Sequence, residues 1–151
     1  MSAVLPWIGL VLRLVIGGRL AWAGWQKINA FSWWRETVDQ MSLFPAGAVG
    51  PLSGMLPGLE LVIGGALILG FWTGASGLGA MLLHLVFAAL MILVLARDVD
   101  TVCGCFGPDS EYPVDEQVVF LNLLSAAGAL AIVFLPRVLD LDGVFGSASA
   151  E

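Results

Sequence analysis

The sequence has 151 residues, of which 59% are hydrophobic and only 12% charged, with a formal net charge of −6 and a mean hydropathy of +0.95. Soluble domains carry about a quarter charged residues and bury only about two-thirds of the surface they could expose. This much apolar side chain therefore excludes a soluble enzyme and demands lipid as solvent. Six basic against twelve acidic residues, with no basic cluster, exclude nucleic acid as a partner.

The length fits one domain, and the pattern predicts an all-α integral membrane four-helix bundle over residues 1–136, followed by a loose Ser-, Gly- and Ala-rich tail over 137–151. The N-terminal MSAVLPWIGL has no positive n-region, and no small-residue cleavage site follows, so it reads as a retained helix. Four stretches are long enough to cross roughly 30 Å of hydrocarbon: about 4–24, 55–72, 75–96 and 118–135.

The first span carries Arg13 near its middle. Arg13, Gly17, Ala21 and Gly24 fall on one helical stripe, and its small residues allow a neighbour to approach closely. Arg19 and Lys27 lie nearer the helix end, where long side chains can snorkel to the interface. Residues 31–54 then form a longer connection with Trp33, Trp34, Pro45 and Pro51. Its tryptophans suit the headgroup layer, and part of it fits a short surface helix.

Glu60 lies in the first half of the second span. With Gly64 and Ile68 it forms a second inward stripe, and Gly64-Gly65 would admit a close neighbour. An isolated charge at this depth costs at least about 2.5–3.5 kcal/mol. The economical arrangement is an Arg13–Glu60 pair inside the bundle, fixing helix register or forming a proton-handling or ligand site.

Thr73-Gly74 is the expected hairpin between the second and third spans. His84, the one histidine, lies mid-way along the third; a hydrogen bond across the bundle is the ordinary reading, a ligand or proton-relay role the sharper one. Asn122, early in the fourth span, is expected to hydrogen-bond across helices.

The polar loop from Arg97 to Glu116 holds both cysteines, in Cys103-Gly104-Cys105-Phe106-Gly107. Two thiols one residue apart can close only a tight ring, and Gly104 supplies the backbone freedom. Such a ring staples little chain entropy and is readily reduced, which suits exchange. The polar loop gives partners access, although its acidic residues disfavour the thiolate. Zinc wants four ligands, more than one chain offers. Two thiolates could carry a soft ion such as Cu(I), and a structural bridge is the third reading.

These residues together resemble a known family. Leu12-Arg13-Leu14-Val15-Ile16-Gly17, Ala23-Gly24-Trp25-Gln26-Lys27, Leu56-Pro57-Gly58-Leu59-Glu60, Leu69-Gly70-Phe71-Trp72-Thr73, the CGCFG loop and Asn122 are similar to the MauE branch of the DoxX-like membrane proteins, over nearly the whole chain. The resemblance implies four transmembrane helices and a role in maturing extracytoplasmic proteins, with methylamine dehydrogenase, an enzyme rich in disulfides, as the named client. It further implies that Cys103 and Cys105 are a redox pair serving a thioredoxin-like or disulfide-containing partner, and that Arg13 and Glu60 are charges within the bundle. It places the cysteine loop outside the cell membrane, whereas Lys27, Arg35 and Arg97 on the long-loop side, against Arg137 on the terminal side, favour a cytoplasmic loop.

One thiolate would attack the partner's disulfide and the other would resolve the mixed disulfide. No metal or cofactor is fixed by the residues. With one cysteine pair, electrons must leave to a bound quinone or to an external partner. A non-catalytic scaffold for a maturation partner and thiolate metal handling stand as rivals.

Overall fold

The computed structural model describes residues 4–99, 101–104 and 113–136; Cys105, Phe106, Gly107 and the tail 137–151 lie outside them. Among the described residues the regular structure is α-helix, joined by short turns and loops, with one isolated antiparallel bridge between Val102 and Pro113. In order the helices are α1 (Leu5–Asn29), α2 (Phe31–Gln40), α3 (Ala46–Leu69), α4 (Thr73–Ala96) and α5 (Glu116–Phe134). All but α2 are long and apolar enough to cross a membrane, so the chain is a multi-pass membrane protein in contact with lipid.

The polarity of each spanning helix is inside out relative to a soluble bundle. On α1, Trp7, Val11, Leu14, Val15, Trp22 and Trp25 are exposed, while Arg13, Gly17, Leu20, Gly24 and Lys27 are buried. Both sets repeat at three- and four-residue steps, so one face meets lipid and the opposite face meets protein. The short α2 is amphipathic in the ordinary sense. Trp34, Thr37 and Val38 are buried, and Arg35, Glu36 and Asp39 are exposed.

α1 packs chiefly on α3, and α4 on α5. The α1–α3 seam is a backbone contact. A Cβ added at Gly17 would stand 2.8 Å from the Gly64 carbonyl oxygen, and one added at Gly24 would stand 2.7 Å from that of Pro57. Gly64 is as tight, at 2.6 Å from Ala21 N and Gly17 O, whereas Gly65 faces open space. Only the first of the two adjacent glycines therefore serves the close approach. The inward stripe of α3 also runs through Leu67, 0% exposed, rather than Ile68, 38% exposed.

Helix ends explain where the expected boundaries shift. α3 begins at Ala46, well before Met55, because Pro51 and Pro57 lie inside it. Proline already has the helical φ, and each costs one backbone donor rather than the whole helix. α3 ends where Gly70 turns left-handed (φ 69°) and Phe71 N–H reaches back to the Ala66 carbonyl at 2.8 Å, a glycine-centred terminus. The hairpin is thus Gly70-Phe71-Trp72, and Thr73 already belongs to α4. α5 starts at Glu116, because the Asp115 side chain accepts the Val118 N–H at 2.9 Å, an N-cap.

Gly64→Ala should lower the thermal midpoint in detergent, at a cost of about 1–3 kcal/mol typical of overpacking, while Gly65→Ala leaves it unchanged. Equal midpoints for the two variants would contradict the seam.

Candidate functional site

The antiparallel register of α1 and α3 decides which charges meet. Arg13 stands level with the C-terminal turn of α3, and its Nε donates to the Leu67 carbonyl at 3.1 Å. That turn has carbonyls left over by helix termination, which attract a cation. Glu60 lies seven residues from Leu67, roughly 10 Å along the axis at 1.5 Å per residue. It faces the far end of α1 instead, and there Lys27 Nζ donates to its Oε1 at 2.5 Å. The expected Arg13–Glu60 pair is therefore replaced by Lys27–Glu60. Lys27 does not snorkel: it is 3% exposed and Glu60 1%.

Two aromatic rings complete the surroundings of the ammonium. Lys27 Nζ lies 4.7 Å from the ring centre of Trp34 and 5.1 Å from that of Phe87, both within cation–π range. Trp34 is buried in this position, its ring covered by protein. Its placement follows from Pro57. Proline has no N–H, so the carbonyl of Ser53, four residues earlier, lacks its helical donor. The indole Nε1–H of Trp34 supplies one at 3.1 Å.

The same indole receives the cysteine motif. Gly104 is left-handed (φ 65°), and a Cβ added there would stand 2.9 Å from the Trp34 ring. The glycine is thus required by its backbone angle and by close approach. Cys103 is disulfide-bonded, and no cysteine among the described residues is free. It is 3% exposed and packs in a cluster with Met41, Met91 and Val94. The expectation that a polar loop leaves this sulfur open to partners is corrected: apolar side chains from the turn after α2, from α4 and from α5 close around it.

Between the ion pair and the cysteine lies a cavity of about 260 Å³, bordered among others by Lys27, Trp34, Glu60, His84, Cys103 and Asn122. Glu60 contributes a buried Oε2 with no hydrogen-bond partner among the described residues. His84 and Asn122 both reach the cavity, but neither bonds across the bundle in the way expected. His84 Nδ1 is 2.8 Å from the Ala80 carbonyl of its own helix, an arrangement that makes Nδ1 the protonated nitrogen and leaves Nε2 as an acceptor. Asn122 Nδ2 donates to the Val118 carbonyl, also on its own helix, at 2.9 Å. A link from α1 to α5 comes from Arg19, whose Nη1 donates to Ser125 Oγ at 3.3 Å.

Four of the expected residues, Glu60, His84, Asn122 and Cys103, therefore border one cavity, while Arg13 is held at the opposite end of α3. Lys27 and Trp34 are the site residues that sequence reasoning misses. The signal was present: the Gly17–Ala21–Gly24 stripe continues to Lys27 in one further step of three, and Pro57 inside a helix calls for an outside donor. Among the described residues, no three His, Cys, Asp or Glu side chains gather to hold a metal ion.

Replacing Lys27 by Met should destabilise the protein by about 3–5 kcal/mol, the cost of leaving a buried charge without its partner. The double variant with Glu60→Gln should recover most of that loss in a thermal melt; no recovery would mean that the pair is not a coupled unit. Gly104→Ala should cost about 1–2 kcal/mol from the left-handed angle alone. Once the disulfide is reduced, Cys103 should then alkylate about tenfold faster, and an unchanged rate would rule out Trp34 as the seat of the loop.

Compared with known protein families, residues 5–135 match the one described as Methylamine utilisation protein MauE. No curated protein and no solved structure matches the chain.

Proposed function

Because this chain belongs to the MauE family, and so is a membrane protein of methylamine utilisation, we propose that it is a thiol–disulfide exchange factor for the maturation of extracytoplasmic proteins. Cys103 and Cys105 form the working pair in this reading, with the CGCFG loop on the extracytoplasmic side. The observation that carries it is the disulfide-bonded state of Cys103 beside a largely apolar cavity that Lys27, Glu60 and His84 also border. Such a cavity is more than a loop brace requires.

The reaction is an exchange of two electrons. A thiolate of a thioredoxin-like partner attacks the disulfide; its S–S bond breaks and a mixed disulfide forms. The partner's second thiolate then attacks the mixed disulfide, which leaves the partner oxidised and Cys103 and Cys105 as thiols. Because Cys103 is enclosed, first contact with the partner is assigned to Cys105.

The close packing of Cys103 against Met41, Met91 and Val94 favours one rival reading, in which the bridge only braces the loop of a membrane scaffold. Single Cys103→Ala and Cys105→Ala variants separate the two. Exchange predicts loss of client maturation in each variant at normal abundance. A brace predicts that abundance falls first, with maturation per molecule retained. Labelling of intact cells with a membrane-impermeant maleimide, only after external reduction, is expected for an extracytoplasmic loop. Labelling that instead needs permeabilised cells and no reductant would remove the extracytoplasmic role.

A further inference from the structure

The exchange reading leaves two electrons on each reduced cysteine pair, and the sequence contains no cysteines besides Cys103 and Cys105. A second thiol pair within the chain cannot take them onward. The cavity beside Cys103 offers another route. It reaches from Cys103 and Asp115 near the loop to Glu60 and His84, and His84 is mid-way along a spanning helix. The cavity therefore extends from the loop to the middle of a spanning helix.

Its chemistry narrows the occupant. Drug-sized ligands take about 300–1,000 Å³. A volume of about 260 Å³ suits one substituted ring, with any long tail left outside. Trp34, Phe44 and Phe87 are among the residues lining it, apolar faces that suit a flat ring. The polar groups are few and face one another. Lys27 is a donor for a carbonyl oxygen. Glu60 Oε2, buried and without a partner among the described residues, is an acceptor for a hydroxyl. An occupant that alternates between carbonyl and hydroxyl oxygens has a partner in either state, and such an occupant carries two electrons.

We propose, on the basis of the exchange reading, that this cavity binds the ring of a membrane quinone, which reoxidises the Cys103–Cys105 pair. Both S–H bonds break and the S–S bond forms. The two electrons and two protons released convert the two ring carbonyls to hydroxyls, so dithiol plus quinone gives disulfide plus quinol. Lys27 orients the quinone through one carbonyl oxygen, and Glu60 Oε2 holds the hydroxyl of the quinol. Because Glu60 is tied to Lys27, and Trp34 spans Lys27 and Gly104, the ring is fixed beside Cys103.

The test uses the full chain in detergent micelles and a fully ring-substituted benzoquinone with a short alkyl tail, which cannot form thiol adducts at ring carbons bearing hydrogen. The pre-reduced protein should lose two thiols for each quinone reduced. Equilibrium dialysis of the oxidised protein should give saturable binding, and Leu121→Trp, which fills the cavity from α5, should raise Kd at least tenfold. Glu60→Gln alone risks misfolding, so the Lys27→Met, Glu60→Gln double variant serves as the second probe, with the same loss of affinity expected. Thiols that survive excess quinone, in protein that still oxidises a thioredoxin-fold dithiol, would overturn the quinone and leave exchange intact. Failure of both reactions would remove both. An unchanged Kd in Leu121→Trp would overturn the cavity as the site.

Discussion

The Lys27–Glu60 ion pair is the constraint on which the inner architecture rests. Two opposite charges are enclosed by spanning helices, where each alone would be costly. Together they tie the end of α1 to the middle of α3. This contact depends on the glycine seam below it, because Gly17, Gly24 and Gly64 bring the two backbones together. A helix pair held apart by larger side chains could not set Lys27 against Glu60. The pair in turn gives Trp34 and Phe87 a cation to face, and so helps to set the walls of the cavity.

A chain of local shortages connects this pair to the loop. Pro57 leaves the Ser53 carbonyl without a helical donor; Trp34 fills that place, and the indole so anchored is the surface on which Gly104 rests. The short amphipathic α2 and the Cys103-Gly104 end of the loop are by these means brought against the spanning helices. Burial of Cys103 follows from the same arrangement, since Met41 follows α2, Met91 and Val94 lie on α4, and all three pack around it.

Much of this was legible beforehand because lipid imposes a severe rule. With no water to satisfy the backbone, apolar segments of sufficient length have to be helices, and all four spans were found, with errors only at their ends. Those errors have local causes. The second span was expected from about residue 55, whereas α3 starts at Ala46 and carries Pro51 and Pro57 within it, and Gly70, rather than Thr73-Gly74, ends α3. The inward stripe of α1 was also legible, since a period of three to four residues is a property of the sequence.

Composition, span number, the buried face of α1 and the cysteine motif were thus determined by the sequence alone, for they depend on hydrophobicity and on neighbours a few residues away. The partners of the charges were not. Arg13 and Lys27 lie on the same stripe, and only the register of α1 against α3 decides which of them reaches Glu60. That register is set by where backbones touch at Gly17, Gly24 and Gly64, contacts between residues tens of positions apart. The cavity has the same origin: Cys103, Glu60, His84 and Asn122 come from a loop and three different helices, and only their packing brings them around one space.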